Sequence, residues 1–377
     1  MSGPLAGVRV LEVGGIGPAP FAAMMLSDMG ADVVRVDRPG ADLMGAADPR
    51  HNTLHRGRRS VQLDARDERG LAALLQMAAG SHVLLEAFRP GVAERLGFGP
   101  DACLAVNPGL VYARMTGWGQ TGPLAQTAGH DLTYLARTGA VYAVGPGESP
   151  AVPLNLVGDF GGGGAFCVVG ILAALLESRT SGRGQVVDAA ILDGAVSLTT
   201  GIRQMVLDGL WEDERQTNLM DGGCPWYTVY PTADGRHVAV GALEDKFYAE
   251  LLSRLGLELD LDRGDRDNWP LIREALGRSF EAHDLAYWTA KFDESDACVA
   301  PVLTFSEAAS DVQVRARGTL IEHGGVLQPA PAPRFSATPS VIQSAPSRTG
   351  ADTREALRAW GVQDVDALIA DGIAVQA

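Results

Sequence analysis

Short apolar runs alternate with helical stretches through roughly the first two hundred residues, and this alternation restricts the fold more than any other feature. Residues 7–13 read as a buried strand, 14–20 as a tight loop, 21–29 as a helix and 32–37 as a second strand. The pattern continues with a helix at 68–79, a strand at 82–86 and, at its C-terminal end, the loop Phe88-Arg89-Pro90-Gly91. Helical segments at 92–96 and 100–106, a strand at 110–115, a helix at 165–176, a strand at 185–190 and a mostly helical 192–210 complete it. Strands joined through helices pair in parallel and are covered on both faces, so the expected fold class is α/β with a Rossmann-like, mostly parallel sheet.

The pattern changes near residue 222. Residues 227–230 and 237–241 flank Ala233-Asp234-Gly235 and read as an antiparallel hairpin with Asp-Gly at its turn. Helices at 245–255, 269–280 and 285–292 and a short strand at 299–303 follow. The reading is a large domain over 1–221, a smaller α+β domain over 222–325 and a C-terminal strap over 326–377. The strap is rich in Pro, Ser and Ala between 328 and 348, and ends in helices at 353–360 and 365–370 that return to the large domain. A length of 377 residues suits two cores better than one.

Composition narrows the partners. A net charge of −15 argues against nucleic acid and anionic membrane surfaces. The first hundred residues hold eleven Arg against eleven Asp plus Glu, so an anionic ligand finds its positive charge there. Apolar runs are broken by Gly, Asp or Glu before the length of a membrane span, and no charged-then-apolar leader opens the chain; a cytoplasmic protein is expected. Cys103, Cys167, Cys224 and Cys298 are widely spaced and read as free thiols.

Two stretches carry candidate chemistry. Gly129-His130-Asp131-Leu132-Thr133-Tyr134 supplies an imidazole that titrates near neutrality. Gly158-Asp159-Phe160, followed by Gly161 to Gly164, sets a carboxylate at or just before the start of the 165–176 helix, where unpaired N–H groups hold an anion. Two proton-exchanging groups beside an oxyanion site suit removal and return of a proton alpha to a carbonyl. The plainer readings are a hydrogen-bonded structural histidine and an N-cap aspartate. The glycines of the Met115 to Pro123 loop suggest a chain turning sharply beside a ligand.

Three further patterns compete. Arg35, Arg38, Arg50, Arg56, Arg58, Arg59 and Arg66 fall within roughly thirty residues and suggest a phosphate cradle, since guanidinium binds phosphate bidentately. Gly15 and Gly17, with Asp37 about 20 residues on, imitate a dinucleotide loop, but Pro20 stands where the third small residue is needed. His51 and His55 have the i, i+4 spacing of a zinc pair without an adjacent Glu, so no metal is assigned.

Together, His130 within 115–134, the Gly158-Asp159-Phe160 run, Phe88-Arg89-Pro90-Gly91 and the opening Pro4-Leu5-Ala6-Gly7-Val8-Arg9-Val10 resemble the family III CoA-transferases over nearly the whole length. Transferases of this family commonly carry an aromatic residue where His130 stands, so the resemblance is to the branch that racemises 2-methylacyl-CoA thioesters. It implies His130 and Asp159 as the two acid/bases on opposite faces of the acyl alpha carbon, with Glu244 orienting the histidine. Backbone N–H groups around Asp159 are then expected to hold the enolate oxygen. It further implies a CoA site lined by Arg38, Leu63, Asp64, Ala65, Arg66, Ala87, Phe88, Arg89, Arg95 and Gly129, Asp131, Leu132, Thr133 and Tyr134. CoA enters as part of the substrate, and no separate cofactor is implied. The family's architecture is an interlocked homodimer. Ala87 departs from a frequent Asn and Arg66 from a frequent Lys.

Overall fold

Valine- and leucine-rich strands buried on both faces build the core of the larger of two units, as the computed structural model of residues 2–41 and 48–377 shows. In chain order these are β1 (Arg9–Val13), β2 (Asp32–Asp37), β3 (Arg58–Leu63), β4 (Val83–Glu86), β5 (Val111–Thr116) and β6 (Val186–Ala190). They pair in parallel in the order β3-β2-β1-β4-β5-β6, the doubly wound arrangement. Successive side chains point to opposite faces. Leu11, Val34 and Leu84 therefore enter one core with Leu74 and Trp360, and Val10, Val33 and Leu85 enter the other with Leu26 and Ile171.

The chain divides into two compact units. The smaller, residues 139–153 and 199–315, carries an antiparallel sheet of β7 (Tyr227–Pro231), β8 (His237–Gly241) and β9 (Val299–Pro301). Gly235 turns the β7–β8 hairpin with φ of 74°. Helices Asp245–Leu255, Trp269–Phe280 and Leu285–Phe292 cover this sheet through Leu251, Ile272, Phe280 and Trp288.

The larger unit, residues 1–138, 154–198 and 316–377, adds a two-stranded ribbon of β10 (Leu320–His323) and β11 (Val326–Pro329) and ends in β12 (Ala374–Val375). β12 pairs antiparallel with β3 and extends the main sheet to seven strands. Helices Thr353–Ala359 and Val365–Ala370 precede it, close to the expected positions.

The helix expected at 165–176 is much longer. It starts as a π-helix at Leu156–Ala165 and continues as Phe166–Ser181. With a mean hydropathy of 1.8 over its most apolar window, the run Leu156–Ser181 is long and apolar enough by length and composition to cross a membrane, contrary to the reading that every apolar run stops short. Within its own unit it packs against β5, β6 and the helices Pro18–Asp28 and Ile191–Leu198. Glycines make that approach: a Cβ on Gly162 would sit 2.5 Å from the Ala195 nitrogen, and one on Gly194 only 1.9 Å from the Gly162 oxygen.

The arginine cluster is mostly internal scaffolding. Glu12, fully buried on β1, accepts from Arg35 at 2.6 Å and Arg58 at 2.7 Å, and Arg35 also reaches Asp37 at 2.8 Å and the Gly15 carbonyl at 2.9 Å. Burial raises the Glu12 carboxyl, yet Arg58 and Arg35 together hold it below the usual carboxylate range. Arg56 pairs with buried Asp28, Arg59 with Asp32, and Arg50 with Asp48. A cradle of seven free guanidinium groups is thus corrected: the buried arginines among them must be paired, and their partners Glu12 on β1 and Asp28 at the end of the helix Pro18–Asp28 lie earlier in the chain.

Candidate active site

The loops leaving the C-terminal ends of β1 to β5 line one cavity of about 1020 Å³, all within the larger unit. A doubly wound sheet binds ligands at this edge, where the strand order reverses between β1 and β4. Residues 13–18 come from β1, Asp37 and Arg38 from β2, Leu63 to Arg66 from β3 and Ala87 to Pro90 from β4. Met115 to Trp118, Gly129, His130, Asp131, Tyr134 and Asp159 complete the wall.

His130 is exposed and stands as the N-cap of the short helix Asp131–Leu135. Its backbone is held from both sides: the His130 N–H donates to Thr133 Oγ1 at 3.0 Å, and that hydroxyl donates to the His130 carbonyl at 2.7 Å. The Tyr134 hydroxyl donates to the Gly129 carbonyl, and its ring meets Trp118 edge-on at 4.7 Å. Two of the loop glycines serve this ring. A Cβ on Gly117 would fall 2.0 Å from Tyr134 Cζ and one on Gly129 would fall 2.4 Å from Cε1. Gly117 and Gly129 therefore admit the Tyr134 ring, while Gly119 and Gly122 turn the loop with φ of 87° and 94°, the sharp turning expected of it.

Asp159 lies inside the π-helix, whose first turn it occupies, and not at its cap. Its own N–H donates to Asp131 Oδ1 at 2.7 Å, so this amide is already occupied and is not open to an oxyanion. The following glycines are helical and packed on neighbouring helices, which corrects the expected glycine turn. Wide-bore helical turns of this type occur frequently at functional sites. Burial, then the nearby Asp131 charge, pushes the Asp159 carboxyl up to about 6, against a smaller opposing pull from His130. Burial and then Asp159 likewise raise the Tyr134 phenol, opposed by Arg89.

The β1 loop resolves the dinucleotide-like spacing. A Cβ on Gly14 would touch Phe88 at 3.0 Å, and one on Gly17 would touch Asp159 Oδ2 at 3.0 Å. These glycines admit the Phe88 ring and the Asp159 carboxylate. Of the seven clustered arginines only Arg38 and Arg66 reach the cavity wall. Arg66 is paired with Asp64 at 2.7 Å, and Arg38 has no ion-pair partner among the described residues. His55 also lines the wall; burial, then Arg58 and Arg35, hold it down at about 3, so its imidazole is neutral.

Of the residues singled out from sequence, Arg38, Leu63, Asp64, Ala65, Arg66, Ala87, Phe88, Arg89, Gly129, His130, Asp131, Tyr134 and Asp159 share this cavity. Arg95, Leu132 and Thr133 are exposed and do not line it. Glu244 belongs to the smaller unit, exposed at the start of the Asp245–Leu255 helix. Sequence reasoning missed Gly17, Asn52, His55, Trp118 and Phe160 as wall residues; the rule that ligands meet the C-terminal ends of parallel strands pointed to the first.

A doubly wound α/β sheet carrying a histidine and an unusually basic aspartate on one cavity wall defines the class. The chain belongs to CoA-transferase family III, whose model matches residues 5–353. It is 44% identical over 370 residues to alpha-methylacyl-CoA racemase of Mus musculus, covering 97% of this chain and 95% of the relative. The Homo sapiens alpha-methylacyl-CoA racemase is 43% identical over 343 residues, covering 89% and 88%. Among solved structures, a CaiB/BaiF family protein from Brucella suis shares the fold with a TM-score of 0.82 at 23% identity, covering 95% of this chain and 99% of that one.

Proposed function

We propose that this chain interconverts the two configurations at the alpha carbon of 2-methylacyl-CoA thioesters. His130 and Asp159 are the two acid/bases. The observation that carries this reading is that both groups line one cavity and that the Asp159 carboxyl titrates at about 6, close enough to neutrality to give or take a proton. The names of the two mammalian relatives point the same way.

An alpha hydrogen beside a thioester is weakly acidic, so the enolate must be met as it forms. The neutral imidazole of His130 takes the proton from one face. The C–H electron pair moves into the enolate, and protonated Asp159 delivers its proton to the other face. The reverse reaction starts with Asp159 ionised and His130 protonated, so one proton is shared by the pair in both directions. Arg38 and the loops at 63–66 and 87–90 are the assigned seat of the CoA moiety. We further propose the homodimer of the family, with Glu244 supporting the histidine.

A panel of 2-methylacyl-CoA esters in heavy water tests this. Deuterium at the alpha carbon with loss of optical activity is expected, and His130→Ala and Asp159→Ala each abolish nearly all exchange, since an acid/base contributes about 10²–10⁴ in rate. Near-normal exchange in either variant refutes its assignment. The family's own description favours a second reading, in which the ionised Asp159 carboxylate attacks the thioester carbonyl, the C–S bond breaks with CoA leaving as its thiolate, and Asp159 carries the acyl group as an anhydride. New acyl-CoA formed only when a free carboxylate is added, without alpha exchange, identifies that activity.

A further inference from the structure

We infer that Asp131 is a positioning residue that fixes the separation of His130 and Asp159, and that its side chain is not a CoA contact. This rests on the acid/base reading above. Asp131 follows His130 directly and opens the helix that His130 caps. Its carboxylate reaches across to the π-helix and accepts the Asp159 N–H at 2.7 Å. One side chain therefore ties the backbone that carries the imidazole to the backbone that carries the carboxylate.

A second observation shows that the fold makes room for this tie. Gly158 is buried, and a Cβ there would lie 2.2 Å from Asp131 Oδ1 and 3.0 Å from its Cγ. Only glycine lets the carboxylate settle on the peptide between 158 and 159. The helix Asp131–Leu135 packs on the π-helix, so the contact joins two elements already held together by side chains such as the buried Leu135.

The tie has an electrostatic consequence for the same pair. Asp159 is faced from the 130–135 segment by Asp131, His130 and Tyr134, and Arg89 of the β4 loop acts on Tyr134 beside it. The β1 loop meets it through uncharged Gly17, and the Ile191–Leu198 helix meets the π-helix through Gly194. Asp131 is thus the carboxylate placed to make Asp159 hold its proton more tightly. Two acid/bases that must exchange a proton at neutral pH need both the fixed gap and the matched proton affinity.

Asp131→Ala removes the acceptor and the charge; Asp131→Asn keeps an acceptor oxygen and removes the charge alone. For Asp131→Ala, the saturated rate of alpha-hydrogen exchange is expected to fall about 10–100-fold, the cost of loosening a supporting contact, while KM for the CoA thioester stays within about threefold. Asp131→Asn should recover most of the rate at its optimum, with the limb of the pH profile that reports Asp159 displaced toward acid, because losing a negative neighbour weakens its hold on the proton. A raised KM with the saturated rate intact overturns the proposal and makes Asp131 a CoA contact, and so do wild-type values in both variants. A ¹³C titration of the Asp159 carboxyl, assigned by its absence in Asp159→Asn, needs no turnover. A midpoint lower in Asp131→Asn than in wild type supports the tie, and an unchanged midpoint overturns it. A wild-type protein that exchanges no alpha hydrogen refutes the acid/base reading, while that titration still decides the place of Asp131.

Discussion

Replacing Asp159 by asparagine preserves shape and hydrogen-bonding reach but removes a charge that the folded chain disfavours. The carboxyl titrates at about 6 in the folded state against 3.8 for an ordinary aspartate, first through burial and then through Asp131. Each pH unit of such a displacement corresponds to about 1.4 kcal/mol, so keeping Asp159 ionised costs at most about 3 kcal/mol. The side chain is only partly buried, and solvent screening reduces this to about 1–2 kcal/mol. The folded chain binds this proton more tightly than the unfolded chain, so wild-type stability falls as pH rises from 3.8 toward 6 and stays at the lower level above it. The Asp159→Asn variant lacks that fall. Thermal unfolding at about pH 8 should find the variant melting about 1–3 °C higher, with the gap closing at about pH 4. A gap of the same size at both pH values, or a wild type that melts higher at pH 8, refutes the claim that ionised Asp159 is held at a cost to the fold.

Two further expectations come from geometry alone. Arg38 lines the cavity wall and has no ion-pair partner among the described residues, so Arg38→Ala should raise KM for a CoA thioester about 10–100-fold, the loss of a charge-assisted phosphate contact, with kcat nearly unchanged; steady-state kinetics in which kcat falls and KM holds would remove Arg38 from the binding role. Gly194→Ala drives a methyl into the Gly162 carbonyl, a backbone atom that cannot step aside, and should destabilise the larger unit by about 3 kcal/mol or more; an unmoved urea midpoint means the two helices are not in the contact described.

The strands themselves were legible because those buried on both faces carry short apolar runs, as Val33-Val34 and Leu84-Leu85 do. The sequence pattern also brought His130 and Asp159 to one place through motif resemblance, and the shared cavity agrees with that placement. What could not be read was the purpose of individual glycines and charges. Gly117 and Gly129 make room for Tyr134, and Gly17 for Asp159, which lies more than a hundred residues further along the chain. Local patterning carries no trace of such distant partners. The arginine run misled for the same reason, since Glu12 and Asp28, which pair Arg35, Arg58 and Arg56, precede it in the chain. The π-helical start of the long helix has no signature distinct from a glycine-rich loop.

β3 carries Leu63 into the cavity wall, and its outer edge is completed by β12, a two-residue strand from roughly three hundred positions later. Synthesis on the ribosome therefore emits most of the main sheet long before the segment that seals its rim, with residues 199–315, a separate compact unit, emerging in between. Until Asp352 and Thr353, which bond the Ser60 and Gln62 backbone, and then Ala374 and Val375 arrive, β3 offers an open row of backbone donors and acceptors to any neighbouring chain. A shortened chain lacking Ala374 and Val375 would expose the flank next to Asp64 and Arg66, so solubility during production and the integrity of one wall of the cavity depend on the same small ladder of hydrogen bonds.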